Sequence, residues 1–101
     1  RILSLYSDST NKILLDDLIV NPMSIPEIIR KYGLSRASGY RKISELIDSN
    51  LLVSRGYFLQ NDGKRVYKYI SAIKNMRVYF DKDKVLLFVL PNVKISEFAN
   101  L

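Results

Sequence analysis

A chain of 101 residues with 48% hydrophobic content is long enough for one compact domain with a real core, which excludes wholesale disorder. It has neither Cys nor His, and this removes disulfides, thiolate and imidazole metal sites, and His- or Cys-based catalysis together. The net charge of +6 is unevenly spread: residues 51–80 hold Arg55, Lys64, Arg65, Lys68, Lys74 and Arg77 against Asp62 alone, a pattern that points to a polyanionic partner.

In chain order, Ile2, Leu3 and Leu5 suggest the end of a helix, and Ser7, Asp8, Ser9 and Thr10 then offer N-cap candidates. Ile13, Leu14, Leu15, Leu18 and Ile19 recur at helical spacing, which predicts a first full helix from about Ser9 to Val20, stopped by Asn21-Pro22. Ser24-Ile25-Pro26-Glu27 reads as a capping box with Pro in the first turn. Ile25, Ile28, Ile29 and Tyr32 share one face of a short second helix, and Gly33 stands where a left-handed C-cap belongs. Leu34 turns inward and Ser35 caps a third helix, whose apolar stripe is Gly39, Ile43, Leu46 and Ile47. A glycine inside a helix costs about 1 kcal/mol against Ala, so Gly39 is expected to pack closely against the preceding helix. Asn50 can end the third helix in a left-handed residue.

From Leu52 to Gln60 the pattern alternates, with Val53, Tyr57 and Leu59 on one side. Asn61-Asp62-Gly63 is a hairpin turn and Val66 to Ile70 the return strand. Met76, Val78 and Phe80 alternate, Asp81-Lys82-Asp83-Lys84 turns, and Val85 to Leu90 is apolar throughout, which predicts a second hairpin. Pro91-Asn92 breaks it, and Ile95, Phe98 and Leu101 fit a short amphipathic terminal helix. No repeat, low-complexity tract or linker intervenes, so the second hairpin is expected on the same core. Leu86, Phe88 and Leu90 fall on one face of its last strand and Val85, Leu87 and Val89 on the other; one small core does not easily cover both, which predicts a homodimer that buries one of them.

This order predicts an α+β, mainly α chain: a winged helix-turn-helix with three core helices, a β-hairpin wing and an added C-terminal β-hairpin. Residues 1–74 would form the DNA-binding domain, and residues 75–101 a C-terminal hairpin and short helix packed on it for dimerisation. A helix entering the major groove needs small or hydrogen-bonding side chains near its N-terminal half. In the helix expected over about 36–49, Arg36, Ala37, Ser38, Tyr40 and Arg41 supply them, with Ser44 on the same side. Arg can bond guanine O6 and N7 together, and Ala37 can touch a thymine methyl. Lys64 and Arg65 in the turn at 61–65 suit a phosphate row or the minor groove, and Arg55 and Lys68 extend that track. Arg30 and Lys31 end the second helix, where complementing its dipole ranks above contact with DNA. Tyr57, Phe58, Tyr67, Tyr69 and Tyr79 are interleaved with basic residues as on a single-strand stacking surface, although aromatics in a small strand pair more often pack.

These residues carry a family resemblance over about residues 1–70. The chain resembles archaeal and bacterial winged helix-turn-helix transcription regulators of the ArsR-like type. The stretch from Ile2 to Leu14 resembles the family's helix end, S-D-x-T-R and I-L; Leu34 to Ile43 resembles L-S-x-S-T-V-x-R-H-L; Leu51-Leu52-Val53 resembles the G-L-V that precedes the wing, and Asp62-Gly63-Lys64 its turn. The resemblance implies a dimeric regulator whose third helix enters the major groove, with Arg36, Ala37, Ser38, Tyr40 and Arg41 facing DNA and Lys64 and Arg65 on the wing. The chain departs from the pattern in having Gly39 for the family's core Val, Lys42 for its His, and none of the Cys and His ligands of the metal-sensing members. The terminal hairpin replaces the helix that often closes family members and pairs their dimer.

The leading expectation is therefore a sequence-specific regulator that binds double-stranded DNA, a homodimer with no cofactor and no metal. A protein-interaction winged helix within a larger assembly is the second, supported by Val85 to Leu90. An enzyme is the third and weakest, since no His, Gly-rich phosphate loop or clustered acids occur. No apolar run approaches the roughly 20 residues of a membrane span and no signal peptide is visible. With an unstapled core this suits the cytoplasm. Arg1 in place of Met is expected of a piece of a longer protein.

Overall fold

The computed structural model describes residues 2–92. Four helices lead: α1 (Ile2–Ser7), α2 (Ser9–Asp17), α3 (Ile25–Lys31) and α4 (Arg36–Asp48). Four strands follow: β1 (Leu52–Leu59), β2 (Arg65–Ser71), β3 (Ile73–Asp81) and β4 (Lys84–Pro91). They form two separate two-stranded antiparallel sheets, β1 with β2 and β3 with β4.

The helix ends obey local chemistry. Asp8 caps α2, its carboxylate accepting the Asn11 amide at 3.0 Å. At α3 the capping box closes in both directions: the Glu27 amide donates to Ser24 Oγ at 3.3 Å and the Ser24 amide donates to Glu27 Oε1 at 3.1 Å. Gly33 then takes a φ of +61°, which turns the chain into α4. Ser35 Oγ accepts the Ser38 amide at the start of α4, and Asn50, with φ +60°, ends the turn beyond it. α2 is shorter than its apolar spacing predicts. It stops at Asp17 because the amides of Val20 and Asn21 both fall back on the Asp17 carbonyl.

The turn between α3 and α4 allows a tight approach at Gly39. A Cβ on that residue would lie 2.9 Å from Ile29 Cγ1 and 3.2 Å from Leu34 Cβ. Any larger side chain must push α4 away from α3. That contact lets Ile43 and Leu46 reach the core built by Leu14, Leu15, Leu18, Ile28, Leu51 and Leu52.

The first hairpin contains a device absent from a plain alternating strand. Ser54 pairs with Tyr69 and Gly56 with Lys68, so Arg55 is an extra, bulged residue. Beyond the bulge the alternation is inverted. Val53 shares a face with Ile70, whereas Tyr57 and Leu59 share the opposite face with Tyr67 and Arg65. The expectation that Val53, Tyr57 and Leu59 line one side is therefore corrected by the bulge.

The junction of β2 and β3 is pinned to the end of α2. Ser71 is fully buried. Its amide donates to the Leu18 carbonyl at 2.9 Å and its hydroxyl donates to the Leu15 carbonyl. Asn92 Nδ2 donates to the carbonyls of Ile19 and Ser71, each at 2.9 Å. These bonds satisfy carbonyls that the end of a helix leaves without intrahelical partners. They also seat Ile73 in the core and fix the base of the second hairpin. A second link ties α2 to α3. Lys31 Nζ lies 2.6 Å from Asp17 Oδ2, the Tyr32 hydroxyl donates to the same oxygen, and Asn21 Nδ2 donates to Oδ1 at 2.7 Å. Lys31, then Tyr32 and Asn21, hold the Asp17 carboxyl down to about 2, while burial and then Asp17 push the Tyr32 hydroxyl up.

The architecture is α+β and corrects the expectation of a mainly α winged helix-turn-helix with three core helices. Among the described residues, helix accounts for 38% and strand for 36%, in four helices and two small sheets. The balance shifts because the helices are short while the second hairpin contributes two full strands, of 9 and 8 residues. The terminal helix expected around Ile95, Phe98 and Leu101 lies outside the described residues.

Two stability outcomes follow from these contacts. Gly39→Ala gains about 1 kcal/mol of helix propensity but meets Ile29. Overpacking of this kind costs about 1–3 kcal/mol, so a net loss of order 1 kcal/mol, or a melting temperature lower by about 4–8 °C, is expected in thermal unfolding. An unchanged or raised melting temperature would show that the helices can part freely. For Asp17 the folded pKa of about 2 lies below the ordinary 3.8. Its contribution is complete above about pH 4 and is lost as pH falls toward 2. Asp17→Asn is expected to be less stable at pH 7 and to lose less stability across that acid window in urea titrations. A slope identical to that of the parent chain would remove Asp17 from the acid response.

Candidate nucleic-acid interface

The polar face of α4 exists because its apolar stripe is spent on the core. Gly39, Ile43 and Leu46 are buried, and helical spacing turns Arg36, Ala37, Tyr40, Arg41 and Ser44 outward, all of them exposed. Ser38 is only half-buried, and its amide is the one that Ser35 caps. No carboxylate sits in the first turn of the helix, so that end of the face is basic.

Tyr40 is the link to the hairpin. At 39% exposure it lines an open cleft of about 210 Å³ together with Arg65, Tyr67 and Tyr69 of β2 and with Ser24 and Pro26 at the start of α3. Arg65, Tyr67 and Tyr69 share one face of β2 because they alternate along it. Met23 bridges Tyr69 from outside: its amide donates to the Tyr69 carbonyl at 3.2 Å and its carbonyl accepts from the Tyr69 amide at 2.8 Å. That bridge holds the base of β2 against the segment leading into α3. Farther out, the Arg65 guanidinium lies over the Tyr57 ring at 4.8 Å, and Tyr57 packs on Tyr67 at 5.5 Å between centroids. These contacts hold the Arg65 stem while leaving the residue exposed.

The turn itself is well defined. The Gln60 amide donates to the Lys64 carbonyl at 2.8 Å, the Gly63 amide to the Gln60 carbonyl at 2.9 Å, and the Lys64 amide to Asp62 Oδ1 at 3.0 Å. Gly63 takes a φ of +84°, which the turn requires. Lys64 is exposed at its end.

Thus α4 and the hairpin bring Tyr40 and Arg65 to one cleft, with Arg36, Ala37, Arg41 and Ser44 on the adjoining helix face and Lys64 at the tip. Arg55 does not join them. It lines a separate depression of about 390 Å³ behind the hairpin with Pro22, Gly56, Tyr57, Phe58 and Lys68. Lys68 is also engaged there, 3.1 Å from Glu27 and over the Phe58 ring at 5.5 Å. Tyr67 and Tyr69 belong to the cleft although neither stood among the candidate site residues. Their i, i+2 spacing from Arg65 was the available signal. Ser24 and Pro26 carried no such signal, because only the tertiary path brings them there.

The cations sort into two groups. Lys12, Lys31, Lys42 and Lys68 pair with Asp16, Asp17, Asp8 and Glu27 respectively, at 2.6–3.1 Å. Lys42 first, and then the Asn11 amide, hold the Asp8 carboxyl below its ordinary range. Among the described residues, Arg36, Arg41, Lys64 and Arg65 have no carboxylate partner, and neither do Arg30, Lys74, Arg77, Lys82 and Lys84 elsewhere in the chain. The paired cations tie the helices and the hairpin base together, while Arg36, Arg41, Lys64 and Arg65 leave the α4 face and the turn basic. Among the described residues no group of three or more acidic, Cys or His side chains is placed to hold a metal ion, and no helix is long and apolar enough to cross a membrane. Comparison with known protein families, with curated proteins and with solved structures gives no match.

Proposed function

We propose that the chain is a sequence-specific regulator that binds double-stranded DNA, with no enzymatic activity and with α4 laid in the major groove. The observation that carries this reading is the group of cations unpaired among the described residues, Arg36, Arg41, Lys64 and Arg65, that α4 and the hairpin turn present together. The cations on the α4 face and the hairpin turn lack carboxylate partners, while Lys31, Lys42 and Lys68 are spent on internal ion pairs. In this reading Arg36 and Arg41 read base edges, with Ala37, Ser38 and Ser44 allowing close approach and Ala37 touching a thymine methyl. Tyr40 and Arg65 flank the groove from the cleft, and Lys64 meets the phosphate backbone or the minor groove. Arg55 is excluded from the contact surface by its place behind the hairpin. The Leu34 to Ile43 pattern, which resembles ArsR-like regulators, supports the same role for α4. A regulator of this kind works in the cytoplasm, where its DNA lies.

A second reading, a protein-interaction module in a larger assembly, is favoured by one observation: every residue from Val85 to Leu90 is exposed.

Selection of bound sequences from random duplexes, followed by titration with two variants, tests the DNA reading. Affinity should fall steeply with salt. Arg41→Ala is expected to cost about 1–3 kcal/mol on a selected site and to relax preference at one position. Lys64→Ala should weaken selected and random duplexes alike and lower the salt slope by about one. Equal losses on both duplexes for Arg41→Ala would overturn the placement of α4, and no binding at low salt would leave the interaction module as the better reading.

A further inference from the structure

The β3–β4 hairpin is a surface in search of a cover. Each residue of the run Val85–Leu90 is between 38% and 60% exposed, and Phe80 is 80% exposed. An isolated two-stranded hairpin is marginal in water, and a patch this apolar on a small chain marks an interaction site. The register separates its faces. Asn75, Arg77, Tyr79 and Asp81 of β3 lie on one face with Leu86, Phe88 and Leu90 of β4. Met76, Val78 and Phe80 lie on the other with Val85, Leu87 and Val89. The base of this second face is turned to the core, through buried Ile73 and partly buried Met76. The first face is turned outward and carries an open groove of about 680 Å³, lined by its Arg77, Tyr79, Asp81, Leu86 and Phe88 together with Phe80. The Tyr79 and Phe88 rings meet edge-on there at 5.6 Å.

We propose that this outward face docks on the same face of a second copy of the chain, across a two-fold axis that passes beside Tyr79 and Leu86. The charges argue for a second copy over an unrelated partner. Arg77 and Asp81 stand two residues to either side of Tyr79, about 13 Å apart along the strand at the usual rise, and among the described residues neither has an ion-pair partner. A two-fold axis there, crossing the strands, lays Arg77 of each copy against Asp81 of the other. The same operation lays Lys84 against the Phe88 ring of the other copy, a cation over an aromatic face. Tyr79 and Leu86 of the two copies fill the centre. Turning the second copy so that the strands run parallel puts Asp81 against Lys84 and leaves Arg77 without an acid. Lys84 already lies opposite Asp81 within its own hairpin, so only the crossed arrangement supplies what Arg77 lacks. Such self-complementarity is what an isologous contact demands. This inference does not rest on DNA binding.

The test is sedimentation of the 101-residue chain and two charge-reversed variants at tens of micromolar, with circular dichroism to show that both variants keep the fold. The parent chain is expected to be a dimer. Arg77→Asp and Asp81→Arg should each weaken self-association by about tenfold or more, because each sets like charges face to face. Mixing the two variants in equal amounts should restore the dimer, since every opposed pair is then of opposite sign. A monomeric parent, variants that remain dimeric, or a mixture that stays monomeric would each overturn the proposal. Binding of random duplex at low salt, measured on the same variants, reports on α4 separately, so failure of one reading is distinguishable from failure of the other.

Discussion

The close approach of α4 to α3 at Gly39 is the contact on which the rest of the structure depends. With Ile29 Cγ1 2.9 Å and Leu34 Cβ 3.2 Å from where a Cβ would stand, the Ile29 and Leu34 side chains lie directly on the α4 backbone. The helix loses propensity at that residue and gains position. Ile43 and Leu46 then reach the core, and the rotation that buries them turns Arg36, Ala37, Arg41 and Ser44 to solvent. The same rotation puts Tyr40 at the edge of the hairpin cleft. One close contact therefore decides both what α4 buries and what it offers.

The hairpins are held by a different class of interaction. Burial of apolar area has little direction, whereas Ser71 and Asn92 make directed bonds to the Leu15, Leu18 and Ile19 carbonyls. The end of α2 is thus completed by residues more than 50 positions away. Only Ala72 separates β2 from β3, so the same anchor serves both hairpins. The first is drawn beside α4, and the second leaves the core with its strand faces open to other molecules.

Local chemistry was legible before the fold was seen. The capping box at Ser24 and Glu27, the left-handed Gly33 and Asn50, the Ser35 cap and the turn at Asn61 to Gly63 each depend on residues within four positions of one another. Gly39 was legible too, because a glycine in the apolar stripe of a helix has few reasons to be there. What escaped is non-local. The bulge at Arg55 follows from the register that Tyr69 and Lys68 impose on β1, and nothing in Ser54-Arg55-Gly56 announces it apart from the glycine. α2 is shortened where the Val20 and Asn21 amides fall back on the Asp17 carbonyl, and it is the distant Ser71 and Asn92 that supply partners for the carbonyls at its end. The near-equal share of helix and strand was misjudged because short helices with strong caps leave a clearer trace in a sequence than strands whose two faces are both apolar. For the candidate interface, the charged and small residues of α4 were visible from their spacing, while the aromatic floor of the cleft required the hairpin to fold back over Tyr40.

The bulge also gives the first hairpin a tolerance of length that its composition hides. Each residue added to or taken from a regular strand exchanges its two sides, but Arg55 has no residue opposite it. Taking it out would leave Ser54 opposite Tyr69 and Gly56 opposite Lys68, now as neighbours in an unbroken ladder, and Tyr57 and Leu59 would stay on the face of Tyr67 and Arg65. The strand thus carries one spare residue, whose loss would relax the local bend and twist without changing which set of rings meets the helix.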